Sequence, residues 1–297
     1  MTDKLRRTLY NIYMGAFLFY LLVPLALMGG AAFNDSKLPS VYPWKGLTDR
    51  WFIDLWNDGT MWSSFLNTIL VALAVVALAV PIGTASAIVV NSISGRVRSV
   101  LYGIMVAPVL APGAVIGIST ILFWNKVGVA VKGVTGSDPN VWYFNPFNAG
   151  LHLSVLGQVS YIAAFVMLMV LARLQSFDEN LEEAALDLGA SHSQVMRRIL
   201  LPHLYPAIGA GAAIAFFQSI ENFNITLFTR GTFQTLTVYV FSKVRAGITP
   251  SINALALLLI LVTFSAAVVY EVRRRRAATV EAAREAEARR ADEAGII

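Results

Sequence analysis

Long stretches without a charged residue are the feature that most limits how this chain can fold. Charged residues make up 14% of its 297 residues and are clustered between the apolar stretches, whereas soluble domains contain about 25% charged residues. A helix needs roughly 20 predominantly apolar residues to cross the hydrocarbon core of a bilayer. The sequence therefore predicts an all-α membrane protein rather than a soluble enzyme, a disordered chain or a secreted module built on disulfides.

The uncharged stretches predict six transmembrane helices. They cover residues 12–33, 61–90, 101–124, 151–172, 204–228 and 252–270. If the N-terminus is cytoplasmic, 15 of the 23 Lys and Arg residues lie on the cytoplasmic side, which is the bias that the positive-inside rule describes. We therefore expect both termini in the cytoplasm. Residues 1–272 would form the six-span domain and residues 273–297 a charged cytoplasmic tail.

The residue inventory excludes several kinds of catalytic site. The chain has no cysteine, which excludes thiolate catalysis, cysteine zinc sites and disulfides. Its three histidines (His152, His192 and His203) lack the spacing of metal ligands, so neither a metal nor a cofactor is expected. No phosphate-binding loop of the GxxxxGK[ST] form occurs, so ATP hydrolysis is expected in a separate subunit. The Lys and Arg residues lie at the ends of apolar segments, which disfavours nucleic-acid binding.

The most informative segment is the predicted cytoplasmic loop 174–207, between the fourth and fifth spans. Its sequence predicts two short helices. The first would begin with a capping box formed by Ser176 and Glu179. It would end at Gly189, where a left-handed residue is expected.

The second short helix would begin with a capping box of Ser191 and Gln194 and stop at Pro202. Apolar residues recur at helical spacing in the first helix and predict one apolar stripe. The stripe consists of Leu181, Ala184, Ala185 and Leu188. We expect it to dock in a groove of a partner protein. The alternatives are a hairpin that merely connects two spans and a DNA-binding helix-turn-helix, which the acidic first helix disfavours.

This loop resembles the EAA loop of the membrane subunits of ATP-binding-cassette (ABC) importers. The matching residues, at the family's spacing, are Glu183, Ala184, Ala185, Gly189, Ile199, Leu201 and Pro202. The resemblance implies the type I importer permease fold, with a cytoplasmic coupling helix between the fourth and fifth spans. The residues that it assigns to contact with the ATP-hydrolysing subunit are Glu183, Ala184, Ala185, Asp187 and Gly189.

Segments 33–36, 44–52 and 244–256 are similar to permeases of the spermidine/putrescine type. This similarity implies a permease subunit that forms half of a pathway for a small solute, with a polyamine or related amine as the first candidate. It also implies three partners: a dimeric ATPase, a second and usually non-identical permease, and a periplasmic or lipid-anchored solute-binding protein. The expected location is the inner membrane. The alternatives are an importer of opines, phosphonates, iron chelates or thiamine, a membrane sensor or scaffold, and an intramembrane enzyme.

Glu221 is the one acid inside the fifth predicted span and the main candidate for substrate contact, because charge at membrane depth is costly and usually functional. Gln218, Glu221 and Asn222 are spaced i, i+3 and i+4, which predicts that they share one helical face. With phenylalanines on the same stretch, this face would suit an amine ligand. The alternative is that Glu221 hydrogen-bonds a neighbouring span or packs against the partner subunit.

Overall fold

The computed structural model describes residues 3–141, 145–178 and 180–293, and the regular structure of these residues is helical. The α-helices are α1 (Asp3–Phe33), α2 (Arg50–Trp56), α3 (Gly59–Ser92), α4 (Gly95–Leu110), α5 (Gly113–Thr135), α6 (Leu151–Leu174), α7 (Asn180–Asp187), α8 (His192–Val195), α9 (Leu201–Ile220), α10 (Asn224–Thr229), α11 (Leu236–Ala246) and α12 (Pro250–Glu293). A 3₁₀ turn (Pro139–Val141) and a π-helical turn (Met196–Leu200) are also present.

Six helical segments among the described residues are long and apolar enough to cross a membrane. They are Lys4–Phe33, Gly59–Ser92, Gly113–Thr135, Leu151–Leu174, His192–Ile220 and Pro250–Arg276. The predicted number of spans is therefore confirmed. The last of these helices continues without a break across residues 272 and 273, as far as Glu293.

The third span was predicted with the wrong boundaries, because its sequence contains a break. Helix α4 ends at Leu110, Ala111 is extended (φ −81, ψ 137), and Pro112 precedes the first residue of α5. Proline disfavours the helical conformation of the residue before it and cannot donate a backbone hydrogen bond. The membrane-length helix is consequently Gly113–Thr135 rather than a continuous helix over 101–124.

The fifth span also differs from the prediction at both ends. Its helix already begins at His192 and passes through Pro202, so the predicted stop at this proline is wrong. The N–H of Leu201 bonds to the carbonyl of Met196 in a π turn. This wider turn makes room for the proline ring in the first turn of α9. At the other end, α9 stops at Ile220 instead of continuing to residue 228.

The chain divides into two compact units, Met1–Asp58 with Lys243–Ile297, and Gly59–Ser242. In the first unit, α12 packs against α1 and α2. Asn34 organises the loop after α1. Its buried amide donates to the carbonyl oxygens of Ser40 (2.8 Å) and Pro43 (3.1 Å) and accepts from the N–H of Lys45 (2.8 Å). The segments 33–36 and 44–52 are therefore held together between α1 and the start of α2.

The second unit is built on the mutual packing of α3, α6 and α9. Its core contains fully buried side chains from all three helices, among them Val75, Met167 and Leu204. Helices α3 and α6 approach closely at Gly83, where an added Cβ would lie 2.5 Å from the carbonyl oxygen of Ala163. Small residues permit such contacts between membrane helices. This unit contains every site residue predicted from the sequence.

Candidate functional site

A cavity of about 310 Å³ lies in the second unit, beside the breaks between α4 and α5 and between α9 and α10. Its lining residues are Val109, Ala111, Gly113, Ile116, Tyr161, Phe165, Gln218, Glu221, Asn222, Phe223, Asn224 and Ile225. The three predicted pathway residues (Gln218, Glu221 and Asn222) therefore lie together around one cavity.

The lining combines one acidic group with neutral polar and aromatic groups. Glu221 carries the only carboxyl group among the described residues that line the cavity, and Tyr161 and Phe165 contribute aromatic rings from α6. Gln218 also borders the cavity, and its Oε1 is buried without a hydrogen-bond partner in the described part of the chain. A concave site in which several polar groups converge beside apolar and aromatic side chains is typical of small-molecule binding.

The prediction that these residues share one helical face is wrong, because α9 ends before two of them. Glu221 is the residue that follows the last turn of α9. The side-chain oxygen of Asn222 accepts from the N–H of Ile225 (3.2 Å), and its carbonyl accepts from the hydroxyl of Thr237 (3.4 Å). These bonds satisfy backbone and side-chain groups where the helix is interrupted, and the turn of the chain brings both residues to the cavity.

Behind the cavity wall, polar side chains of α6 bridge the break between α9 and α10. Gln158 is fully buried. Its amide nitrogen donates to the hydroxyl of Thr226 (2.9 Å), and its amide oxygen accepts from the hydroxyl of Ser219 (2.6 Å). One turn earlier on α6, the hydroxyls of Ser154 and Thr229 lie 2.9 Å apart. Helix α6 thus contacts both sides of the break through buried hydrogen bonds.

The second candidate site is the hairpin formed by α7 and α8. Gly189 has φ +84, so the predicted left-handed end of the first helix is confirmed. The N–H of Gly189 bonds to the carbonyl of Leu186 (2.9 Å), and the N–H of Ala190 bonds to that of Ala185 (3.0 Å). These two bonds form a Schellman motif, which closes a helix end with local contacts alone.

The two predicted capping boxes have different outcomes. Ser191 and Gln194 form the predicted capping box. The N–H of Ser191 donates to the side-chain oxygen of Gln194 (2.8 Å), and the N–H of Gln194 donates to the hydroxyl of Ser191 (3.3 Å). The first helix begins at Asn180, and the hydroxyl of Ser176 instead donates to the carbonyl of Arg173 (2.8 Å). Glu179, the other member of that predicted box, lies outside the described residues.

The predicted contact residues lie on the surface of the hairpin. Glu183, Ala184 and Asp187 are exposed, and Ala185 is half-buried. Glu183 borders a cleft of about 510 Å³ between α7 and the ends of α3 and α6. Of the apolar stripe, Leu188 is 89% exposed and Leu181 is 52% exposed. The stripe is therefore not buried within this chain.

Residues 79–279 match the protein family described as "Binding-protein-dependent transport system inner membrane component". This match covers more than half of the chain. The chain belongs to this family. It is accordingly a multi-pass inner-membrane permease, and we use that word below.

Individual relatives agree with the family. The permease is 34% identical over 244 residues to the putrescine transport system permease protein PotI of Escherichia coli K12, covering 81% of this chain and 82% of PotI. It is 26% identical over 265 residues to the spermidine/putrescine permease PotC of Haemophilus influenzae, covering 89% and 95% of the two chains.

A solved structure confirms the fold. The permease resembles a chain of a bacterial ABC transporter that imports alginate, with a TM-score of 0.73, 17% identity, and coverage of 92% of this chain and 96% of that chain. The predicted fold class, an all-α membrane protein with the fold of ABC importer permeases, is confirmed.

The contribution of α6 to the permease cavity was not predicted from the sequence. Tyr161 and Phe165 line the cavity, and Gln158 supports it from behind. Of the phenylalanines predicted near Glu221 in the fifth span, only Phe223 is part of the described lining. A pattern was present, because Ser154 and Gln158 are spaced i, i+4 in a mostly apolar helix. It could not show which polar residues of another span they would face.

Proposed function

We propose that the permease forms half of the translocation pathway of an ABC importer for a polyamine or related amine. The observation that carries the proposal is the cavity, where the carboxyl group of Glu221 stands beside aromatic rings at two helix breaks. The relatives PotI and PotC, which are named as putrescine and spermidine/putrescine permeases, support the same class of cargo.

The lining suits a protonated amine on physical grounds. Aliphatic amines are cationic at neutral pH. A carboxylate attracts a cation more strongly where water is partly excluded, and aromatic faces such as those of Tyr161 and Phe165 add cation–π attraction. Ammonium groups are also hydrogen-bond donors, and the buried Oε1 of Gln218 offers them an acceptor. A buried acceptor of this kind gains a partner when an ammonium group binds.

Energy for transport would come from a separate, dimeric ATPase that binds the α7–α8 hairpin. The exposed apolar stripe supports this assignment, because such a surface on a cytoplasmic hairpin fits the groove of a partner. Contact would be made by Glu183, Ala184, Ala185, Asp187 and Gly189. Both termini would then be cytoplasmic, as the distribution of Lys and Arg favours.

The remaining partners follow from the proposed half-pathway. A second permease subunit, non-identical as in most of the family, would complete the pathway, and a periplasmic or lipid-anchored binding protein would deliver the cargo. The family description includes dependence on a binding protein. A structural relative was solved in complex with a periplasmic protein carrying an alginate pentasaccharide. Closure of the ATPase would rock the spans between inward-open and outward-open states.

Removal of the charge of Glu221 tests the proposal. We expect Glu221→Gln to reduce uptake of labelled putrescine or spermidine by about ten-fold or more, because a charge-assisted hydrogen bond contributes about 1.5–3 kcal/mol. Uptake is measured in proteoliposomes that contain both permeases, the ATPase and the binding protein. Basal ATP hydrolysis reports correct assembly.

Glu271→Gln is the matched control, since it removes an exposed carboxylate that pairs with Arg275 (2.6 Å) outside the cavity. It should leave uptake unchanged. Equal uptake by the wild type and Glu221→Gln would show that this carboxylate does not contact the cargo. Absence of amine uptake by the wild-type complex would refute the proposed class of cargo.

A further inference from the structure

We propose that Gln158 is a positioning residue of the permease, which holds the α9–α10 break and thereby orients Asn222 at the cavity. The inference rests on the proposed function for its cargo. Gln158 is not among the residues that line the cavity. It would act on transport only through the side chains that it holds in place.

Gln158 makes two hydrogen bonds, one on each side of the α9–α10 break. The Gln158 oxygen accepts from Ser219, in the last turn of α9, and its nitrogen donates to Thr226 in α10. One side chain therefore joins both sides of a segment that lacks continuous helical hydrogen bonds. Because a buried amide is costly unless it is hydrogen-bonded, the burial of Gln158 favours the arrangement in which both bonds are made.

The donor and acceptor roles in these hydrogen bonds connect Gln158 to Asn222 through Thr226. Since the Thr226 oxygen accepts from Gln158, its own proton is available for the side-chain oxygen of Asn222, 3.5 Å away. That oxygen also accepts from the N–H of Ile225. An amide whose oxygen is occupied in this way presents its nitrogen on the other side. Asn222 lines the cavity together with Tyr161 of α6.

Packing against α5 and α6 restricts the position of α10. A Cβ at Gly157 of α6 would lie 2.8 Å from Cγ2 of Ile225, and a Cβ at Gly117 of α5 would lie 3.0 Å from its carbonyl oxygen. Glycines on both neighbours thus let α10 fit closely between α5 and α6. This fit fixes the register in which Thr226 faces Gln158, so that the hydrogen bonds and the packing support the same position.

Gln158→Met tests the proposal, because it keeps the length of the side chain and removes both hydrogen bonds. We expect the KM for amine uptake to rise about ten-fold, while the maximal rate and basal ATP hydrolysis stay within about two-fold. Gln234→Met is the matched control. Its Oε1 is buried without a hydrogen-bond partner in the described part of the chain, and it should leave KM unchanged.

Two further variants separate positioning from a general structural role. Gln158→Glu keeps an acceptor and, when protonated in this buried position, a donor; it should restore KM to near the wild-type value. In a double-mutant cycle, adding Gln158→Met to Asn222→Ala should raise KM no further than Asn222→Ala alone. Independent, multiplicative effects of the two changes would overturn the proposal, as would an unchanged KM in Gln158→Met.

A second assay needs no cargo and therefore stands apart from the proposed function. The chain is free of cysteine, so Glu221→Cys introduces a unique thiol at the break. We expect Gln158→Met to change the rate at which a methanethiosulfonate reagent modifies this thiol by about five-fold or more, since rates follow the population of a conformation. Gln234→Met should not change it. Equal rates in all three backgrounds would refute the proposal, even if the wild-type complex transports no amine.

Discussion

The turn at Gly189 and the break at Glu221 both interrupt helices of the permease, but different parts of the chain hold them in place. The turn is closed by bonds between residues of the same hairpin, such as Ala190 to Ala185 and Gln194 to Ser191. The break is held from α6, through bonds that connect residues 61 and 68 positions apart in the sequence.

This difference predicts how each region behaves when the helices move. A hairpin that is closed by its own bonds keeps its shape during a domain motion, as a part that transmits force to or from a partner requires. A break that depends on a neighbouring helix changes whenever α6 and α10 separate. We therefore expect the hairpin to behave as a rigid element and the cavity to respond to the conformational state. The predictions below test this contrast.

The largest effect is expected from crowding the contact between α6 and α10, next to the break at Glu221. Gly157→Val would place a Cβ 2.8 Å from Ile225 and 3.2 Å from the hydroxyl of Thr120, and overpacking costs about 1–3 kcal/mol. The melting temperature of the purified permease should fall. Gly103→Val, at a helical glycine with nothing within 4 Å, should melt as the wild type does. Equal melting temperatures of the two variants would show that α10 is not held tightly.

Strain in the hairpin should affect coupling more than stability. Gly189 has φ +84 with nothing within 4 Å, so Gly189→Val has space, but a left-handed backbone costs about 1–2 kcal/mol. We expect cargo-stimulated ATP hydrolysis to fall about ten-fold, with at most a small decrease in melting temperature. The control is Gly133→Val, at an equally open position within α5. Normal stimulation in Gly189→Val would remove the role assigned to this turn.

Removing the cap of the second hairpin helix should have a smaller effect of the same kind. Ser191→Ala deletes the hydroxyl that accepts from the N–H of Gln194 (3.3 Å). Loss of an N-cap costs about 1 kcal/mol, which shifts the equilibrium between the capped and the frayed helix by roughly five-fold. We expect stimulated ATP hydrolysis to fall by at most this factor. Ser193→Ala, at an exposed neighbour, serves as the control. If both variants hydrolyse ATP equally, the capping box is not part of coupling.

The smallest effect is expected at an exposed ion pair outside both regions. Lys132 lies 2.6 Å from Asp138, and this hydrogen bond, with one from the N–H of Asn140, holds the pKa of the Asp138 carboxyl below its usual range. A carboxyl whose pKa is lowered on folding stabilises the fold above its unfolded pKa and loses that contribution as the pH falls through the folded pKa. The contribution should therefore be constant at neutral pH and begin to decrease below about pH 4.

Melting temperatures of the wild type and Asp138→Asn, compared across this range, provide the measurement. The two should differ slightly at pH 7, because exposed pairs contribute little, and converge in acid. Lys132→Gln should give the same profile. A difference between wild type and Asp138→Asn that does not decrease as the pH falls below about 4 would contradict the assignment to this carboxyl.

Much of the permease's secondary structure could be predicted from its sequence, because the interactions that determine it join residues that are close in the chain. The number of spans follows from runs of apolar residues, since a bilayer requires a minimum length of apolar helix. The turn at Gly189 and the cap at Ser191 were also predicted correctly, because both arise between residues a few positions apart. The prediction at Ser176 was wrong because the helix begins later, at Asn180.

The cavity was decided by the tertiary structure. Sequence spacing placed Gln218, Glu221 and Asn222 on one continuous helix, and they reach the same cavity because that helix breaks. The break depends on Gln158 and on close packing at Gly157, both on α6. Spacing along the chain carries no information about which buried polar groups of two distant helices will satisfy each other. Only packing of the helices brings those partners together and fixes the position of the acid at the cavity.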